Sequence, residues 1–330
     1  MKNLYYKFYE SCIPVIGINR GVIYDLPRSA LYFLPKDVLK EFIKYSSLGI
    51  DKFFMDYKGS VMTIKKYLNY LLKNELIFYF NNPKLYPKID TSISFNNSLD
   101  VLFLEIDNID FFKENLLTIN QINILGFTNL VLISNNSSFD NLISILKNIQ
   151  NSRIKNINLL IKYEPNIYFQ LIRILSEFEL LIEITVFNTT VEFNDKSEKM
   201  ISFTSESLDY LFQKKITNVN DFVINQYAYY ESLKYNLYFN RKIYVDNFGN
   251  IKHGFSDINN YGNLKNNKLE TLAKSKSFNE LLLINKNQIK VCKDCEFKYI
   301  CPDQRIPKKI NNSYYHETIC NYDPYKNEWK

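Results

Sequence analysis

LDVLFLEI at residues 99–106, NLVLIS at 129–134, INLLIKY at 157–163 and LIEITVF at 181–187 decide the fold. Each is a short, nearly continuous apolar run rich in Leu, Ile and Val, and helical stretches lie between them. That is the order expected of parallel strands covered by helices. Val219–Ile224 is a weaker fifth strand, and Gly126 stands where a helix ending in Ile122 and Leu125 would stop. The segment is therefore α/β, an open parallel sheet or part of a (β/α) barrel, with too few units to close an eight-unit barrel.

Upstream, GVIYDLPRSALYFL at 21–34 reads as a β-hairpin turning through Leu26-Pro27-Arg28-Ser29. Pro35 suits a first helical position, and Val38, Leu39, Phe42 and Ile43 recur at helical spacing after it. A second helix is expected from an N-cap at Thr63, with Ile64, Tyr67, Leu68, Leu71 and Leu72 on one face, before a strand at Ile77–Phe80. Hairpin, helices and closing strand suggest a winged-helix-like module over 1–82. The polar stretch from Asn81 to Asn97 reads as its linker. The α/β segment then spans 83–240, and from 241 the texture changes. There IYVDNFGNIKH at 243–253 reads as a short hairpin, and an amphipathic helix is expected around Leu269–Leu283.

Composition excludes several classes. The chain has 330 residues, with 46% hydrophobic and 23% charged, which is ordinary globular composition. No apolar run is long enough to span a membrane and no secretory signal opens the sequence, so the cytoplasm is the expected compartment. Eight glycines, none in a GxGxxG or GxxxxGK[ST] arrangement, leave no phosphate-cradling loop. Only two histidines occur, His253 and His316, which rules out a His-rich metal centre. The net charge of +6 sits mostly in residues 1–80, where twelve Lys or Arg face seven Asp or Glu. It lacks the dense clustering that nucleic acid requires and reads mostly as solvated surface, with an acidic peptide partner left open.

Four of the five cysteines fall near the C-terminus: Cys292, Cys295, Cys301 and Cys320 in VCKDCEFKYICPDQRIPKKINNSYYHETIC. In a reducing compartment, thiols two residues apart point to metal rather than to disulfides. Four thiolates suit Zn(II) or an iron–sulfur cluster, and spacing alone leaves both open. His316 reads as an exposed loop residue, and Cys12, isolated near the start, as a buried thiol.

At these residues the chain resembles a SPASM domain, the cysteine-rich C-terminal extension of radical SAM peptide-modifying enzymes. The matching parts are IYVDNFGNIKHG, YGNL and the CKDCEFKYIC run with its distant last cysteine. Over nearly its full length it resembles the peptide maturases encoded beside an ATP-grasp ligase in grasp-with-spasm systems. There SCIPVIGINRGVIYDLPRSALYFLP, CEFKYICPDQR and NYDPYKNEW fit the pattern. The resemblance implies one [4Fe-4S] cluster on Cys292, Cys295, Cys301 and Cys320. Ligands of a second are missing, since Gly254 stands where a cysteine would. No C-x3-C-x2-C motif occurs, so no S-adenosylmethionine is expected and the middle segment reads as a degenerate, partial radical SAM barrel.

The implied function is maturation of a ribosomally synthesised, post-translationally modified peptide, with the precursor leader and an ATP-grasp ligase as partners and neither nucleic acid nor membrane. A leader would add as a strand to the hairpin and fill a groove against a helix. Its expected contacts are Val22, Tyr24, Leu31, Phe33, Lys65, Lys66 and Tyr70. Two other functions remain open at this stage: electron transfer through the single cluster, and a zinc-stapled adaptor without chemistry.

Overall fold

The computed structural model describes residues 4–82, 85–86, 99–107, 125–136, 139–190, 193–195, 200–213 and 215–330. Most of the expected linker lies outside the described residues. The chain forms two compact units, each assembled from separated segments. The first takes Met1–Ile93, Lys215–Tyr238 and Ile284–Lys330, and the second Ser94–Lys214 and Phe239–Leu283. Among the described residues no helix is long and apolar enough to cross a membrane.

The first unit begins with strands β1 (Tyr5–Phe8), β2 (Cys12–Ile16), β3 (Arg20–Asp25) and β4 (Ala30–Pro35). Helices α1 (Lys36–Tyr45), α2 (Ile50–Asp56) and α3 (Val61–Lys73) follow, then β5 (Ile77–Phe80), which pairs with β1. Strands β2, β3 and β4 form an antiparallel sheet with β3 in the middle, Val22 opposite Phe33 and Tyr24 opposite Leu31. The period-two alternation of β3 feeds two cores. Ile23 packs with Leu39, Phe42, Leu68 and Leu71 from the helices, while Val22 and Tyr24 pack on the opposite face with Phe222, Phe297, Ile300 and Tyr322. The hairpin and the apolar face of α3 are where the sequence puts them, and α1 buries Leu39 and Phe42 as expected but leaves Ile43 exposed and buries Tyr45 instead. Two boundaries differ: Pro35 caps α1 rather than opening it, and α3 starts at Val61, so Thr63 lies within the helix. Helix α2 and strands β1 and β2 had no sequence signal of their own.

The second unit is a mixed α/β structure around an eight-stranded sheet. Its strands are β6 (Val101–Glu105), β7 (Asn129–Ser134), β8 (Asn156–Lys162), β9 (Leu181–Phe187), β10 (Phe193–Asp195), β11 (Met200–Phe203), β12 (Lys242–Val245) and β13 (Ile251–Lys252). They lie in the order β10-β11-β9-β8-β7-β6-β12-β13. Neighbours from β11 to β12 run parallel, and β10 and β13 are antiparallel edges, so the sheet is open. Helices α4 (Phe139–Ile149) and α5 (Ile167–Glu177) bury one apolar stripe each, Leu142, Ile145, Leu146 and Ile149 on α4 and Ile167, Leu171, Ile174 and Leu175 on α5.

Three sequence expectations are corrected. Val219–Ile224 is not a strand. The Asp221 carboxylate accepts from the Thr217 and Asn218 N–H groups at 2.6 and 3.2 Å, which winds Val219–Asp221 into a single 3-10 turn. The parallel strand that follows β9 in the sheet is β11 instead. The IYVDNFGNIKH hairpin forms, with Gly249 at φ +79°, but β12 also pairs in parallel with β6 and so extends this sheet. Finally, the expected helix around Leu269–Leu283 is two, Leu269–Ala273 and Lys276–Leu282, with Ser275 capping the second through the Phe278 N–H.

Candidate metal centre

All four C-terminal cysteines belong to the first unit, and local backbone turns aim them at one place. Cys292 opens a 3-10 turn in which the Cys295 N–H donates to the Cys292 carbonyl at 3.1 Å, so the two-residue spacing folds both thiols to the same side. Val291, just before it, sits at φ +68°, a conformation that costs a β-branched residue about 1–3 kcal/mol. The Phe297 N–H donates to Cys295 Sγ at 3.4 Å, and the Ile300 N–H to the Phe297 carbonyl at 3.1 Å, returning the chain to Cys301. Cys320 arrives from strands β14 (Lys308–Ile310) and β15 (Ser313–Tyr315), just ahead of β16 (Tyr322–Asp323), which pairs with β17 (Glu328–Trp329). The four residues line one pocket with Ile216, Phe222, Phe297, Lys286, Asp303 and Arg305, enclosing about 420 Å3 including its solvent-open mouth.

Zinc with four thiolates at about 2.3 Å holds every pair of sulfurs about 3.8 Å apart. Among the described residues, no three of these sulfurs lie within 4.8 Å of one another; the set that does is Cys292, Asp303 and His316. The quartet is thus spaced wider than one zinc needs. The tighter trio is not a second metal site. Asp303 already accepts from Lys286 Nζ at 2.7 Å and from Arg305 Nε and Nη2 at 2.9 and 2.6 Å, so cations occupy the carboxylate a metal would use.

Burial pushes the Cys292, Cys295 and Cys301 thiols up, and neighbouring thiols and carboxylates add to it, while Lys286 works against the rise at Cys292 and Cys301. Without a bound cation these groups are protonated thiols, not nucleophiles, and metal binding is what would deprotonate them. Burial alone would raise Asp303 as well, but Lys286 and Arg305 outweigh it and hold the carboxyl far below the usual range. His316 is not an exposed loop residue. Its side chain is buried, and burial with the Lys286 ammonium pulls its pKa down to about 3, so at neutral pH Nε2 accepts from Lys286 Nζ at 3.2 Å. Lys286 carried no signal in the sequence, because a lysine in INKNQ reads as surface until tertiary folding closes over it.

The N-terminal strands clamp this lobe. Arg20 Nε donates to Glu296 Oε1 at 2.5 Å and Arg20 Nη2 to the Tyr322 hydroxyl at 3.1 Å. Tyr322 donates to Glu296 Oε1, and Tyr24 donates to the Glu296 backbone carbonyl. The Ile18 N–H reaches the Asp294 carbonyl at 2.7 Å. Gly17 permits this approach, since a Cβ there would meet Glu296 Cβ at 2.9 Å and Glu296 N at 3.0 Å.

The expected leader contacts divide. Val22 and Tyr24 are fully buried on the central strand and packed against the cysteine-bearing lobe. Leu31 is half-buried beside them, and Phe33 is 40% exposed with the Arg20 guanidinium 4.2 Å above its ring. Lys65, Lys66 and Tyr70 are exposed on α3, which turns its buried face to the other core. Cys12 is a buried thiol apart from the quartet, as its isolation suggested. His253 is buried in the second unit, its ring nitrogens 3.1 Å from Asp257 Oδ2 and 2.7 Å from the Phe278 carbonyl, so it serves packing there.

Fold and site together define a mixed α/β protein with a four-cysteine centre in the unit its two chain ends build. No family model and no curated protein matches the sequence. Similar solved structures include Streptococcus suis SuiB bound to S-adenosylmethionine, at 11% identity over 96% of this chain and 99% of that one, with a TM-score of 0.30. They also include SuiB alone, at 10% identity over 95% and 99% with a TM-score of 0.30. SuiB bound to its precursor peptide SuiA matches at 10% over 96% and 99%, with a TM-score of 0.28. A likeness of this degree carries no argument about chemistry, which rests on the residues themselves.

Proposed function

We propose that this chain is a cytoplasmic maturation factor for a ribosomally synthesised, post-translationally modified peptide, holding one [4Fe-4S] cluster through Cys292, Cys295, Cys301 and Cys320. The observation that carries the cluster is the convergence of four cysteines on one pocket with sulfurs set wider than zinc requires. When bound, such a cluster supplies one-electron transfer or a rigid anionic staple. The chain's own residues shield it with Phe222 and Phe297 and hold Lys286 and Arg305 beside the thiolates.

The peptide role and the ATP-grasp ligase partner rest on the sequence resemblance, and the N-terminal sheet offers a compatible surface. β3 has strands on both sides, whereas β4, which carries Leu31 and Phe33, is paired on one side only among the described residues. A leader strand would add along β4, with Lys65, Lys66 and Tyr70 of α3 as side-chain contacts and Val22 and Tyr24 as the buried support beneath.

Two measurements test this. Anaerobic purification with iron, sulfide and zinc analysis should give about four irons and four sulfides per chain for one [4Fe-4S] centre, lost in Cys295→Ala; one zinc and no iron would replace it with the stapled adaptor. Binding of the cognate precursor and ligase should exceed background in a pull-down, and its absence would remove the maturation role.

A further inference from the structure

The cysteine pocket is backed by more buried positive charge than its own side chains neutralise. Lys286 is 5% exposed and Arg305 is largely covered, and both bind the one buried carboxylate of Asp303. Two cations on one anion leave an excess positive charge away from water, which is costly unless an anion stands beside it. His316 supplies none, since an imidazole carries no negative charge. The thiols of Cys292 and Cys301 are the next groups to feel the Lys286 ammonium.

The ammonium is held, not free to swing. Of its three N–H groups, one goes to Asp303 Oδ2 at 2.7 Å and one to His316 Nε2 at 3.2 Å. Among the described residues the third has no acceptor. Cys292 Sγ lies within 4.8 Å of a carboxylate oxygen of Asp303 and a ring nitrogen of His316, the two residues that anchor the lysine.

We infer that Lys286, fixed by Asp303 and His316, is the built-in counter-charge of the four-thiolate centre and raises the reduction potential of its cluster. This rests on the cluster reading above. A cluster gains negative charge on reduction, so a fixed neighbouring cation favours the reduced form, and hydrogen bonds to the sulfurs act in the same direction. Lys286 is a positioning and tuning residue: it acts through the thiolates and is not one of the ligands.

The test uses the full chain, purified anaerobically, as wild type, Lys286→Met, Lys286→Arg and Lys298→Met. The last removes a lysine at the pocket that Asp303 does not bind. Iron and sulfide are counted, and the midpoint potential is read by electron paramagnetic resonance during redox titration. The expected result is a shift to more negative potential in Lys286→Met, a value returned toward wild type in Lys286→Arg, and a smaller shift in Lys298→Met. Loss of iron from Lys286→Met with retention in Lys286→Arg would equally support a charge requirement. An unchanged potential in Lys286→Met, equal shifts in the Met and Arg variants, or loss of iron from both would overturn the inference while leaving the cluster reading for the wild type intact. Wild type without iron would instead overturn the cluster reading itself.

Discussion

Arg20 Nε donates to Glu296 Oε1 at 2.5 Å, joining residues 276 positions apart in sequence, and the carboxylate it reaches is wholly buried next to Cys295. The pair ties the N-terminal sheet to the residue that follows Cys295, a proposed ligand, so damage to one is expected to be felt by the other.

Removing the cation exposes the cost. Glu296 Oε2 has no hydrogen-bond partner, so Arg20→Met leaves a buried carboxylate with the Tyr322 hydroxyl alone. Breaking a buried pair from one side costs about 3–5 kcal/mol, and the partial exposure of Arg20 places the expectation near the low end. Urea denaturation should show it, with Arg20→Met/Glu296→Gln recovering part of the loss.

Gly17→Ala tests the close approach beside that pair. The added methyl meets the Glu296 main chain and the Arg20 carbonyl at 3.0 Å, none of which is a flexible side-chain end. Overpacking of this kind costs about 1–3 kcal/mol. A lowered melting temperature together with reduced iron retention would show that sheet and centre are coupled; stability equal to wild type would refute the contact.

Cys301→Ala should lose most bound metal, whereas Cys12→Ala should keep it, because Cys12 packs in the helical core and does not line the pocket. Equal metal in both variants would disprove the assignment.

Acid sensitivity is expected at Asp257. Burial opposes its ionisation, but the bonds it accepts from His253 and from the Asn259 N–H outweigh burial and hold its pKa below the ordinary value. Such a carboxyl contributes stability that is complete above the unfolded pKa of about 3.9 and is lost as pH falls through the folded one. Stability should therefore decline below about pH 4, and Asp257→Asn should be less stable at neutral pH with a shallower acid limb.

For the leader surface, Lys65→Glu/Lys66→Glu should weaken binding of the precursor leader by about 2- to 30-fold, taking about 0.2–1 kcal/mol for each exposed charge. Fluorescence anisotropy with the labelled leader would measure it, and an unaltered Kd would remove α3 from the contact surface.

Strands β7 and β9 were legible to the residue because each is a nearly continuous apolar run of the kind a parallel sheet buries. Met200–Phe203 escaped notice because four residues among charged and hydroxyl neighbours show no period, and only pairing with β9 makes them a strand. The cysteines announced themselves by clustering. Their electrostatic support did not, since Lys286, Asp303 and His316 are 17 and 30 positions apart from the lysine outward. The hairpin was legible, but not the burial of its Val22–Tyr24 face, which depends on a lobe from the far end of the chain.

That burial has a consequence for biosynthesis. Tyr24 meets its carbonyl acceptor 272 residues later, and at about 5–20 residues per second a ribosome takes roughly 10–60 s to make the interval. Through that time the nascent β2–β4 sheet is finished on its helical side and bare on the other. The apolar face closes only once Phe297, Ile300 and Tyr322 have emerged, and until then it is an adhesive surface for chaperones and proteases to detect.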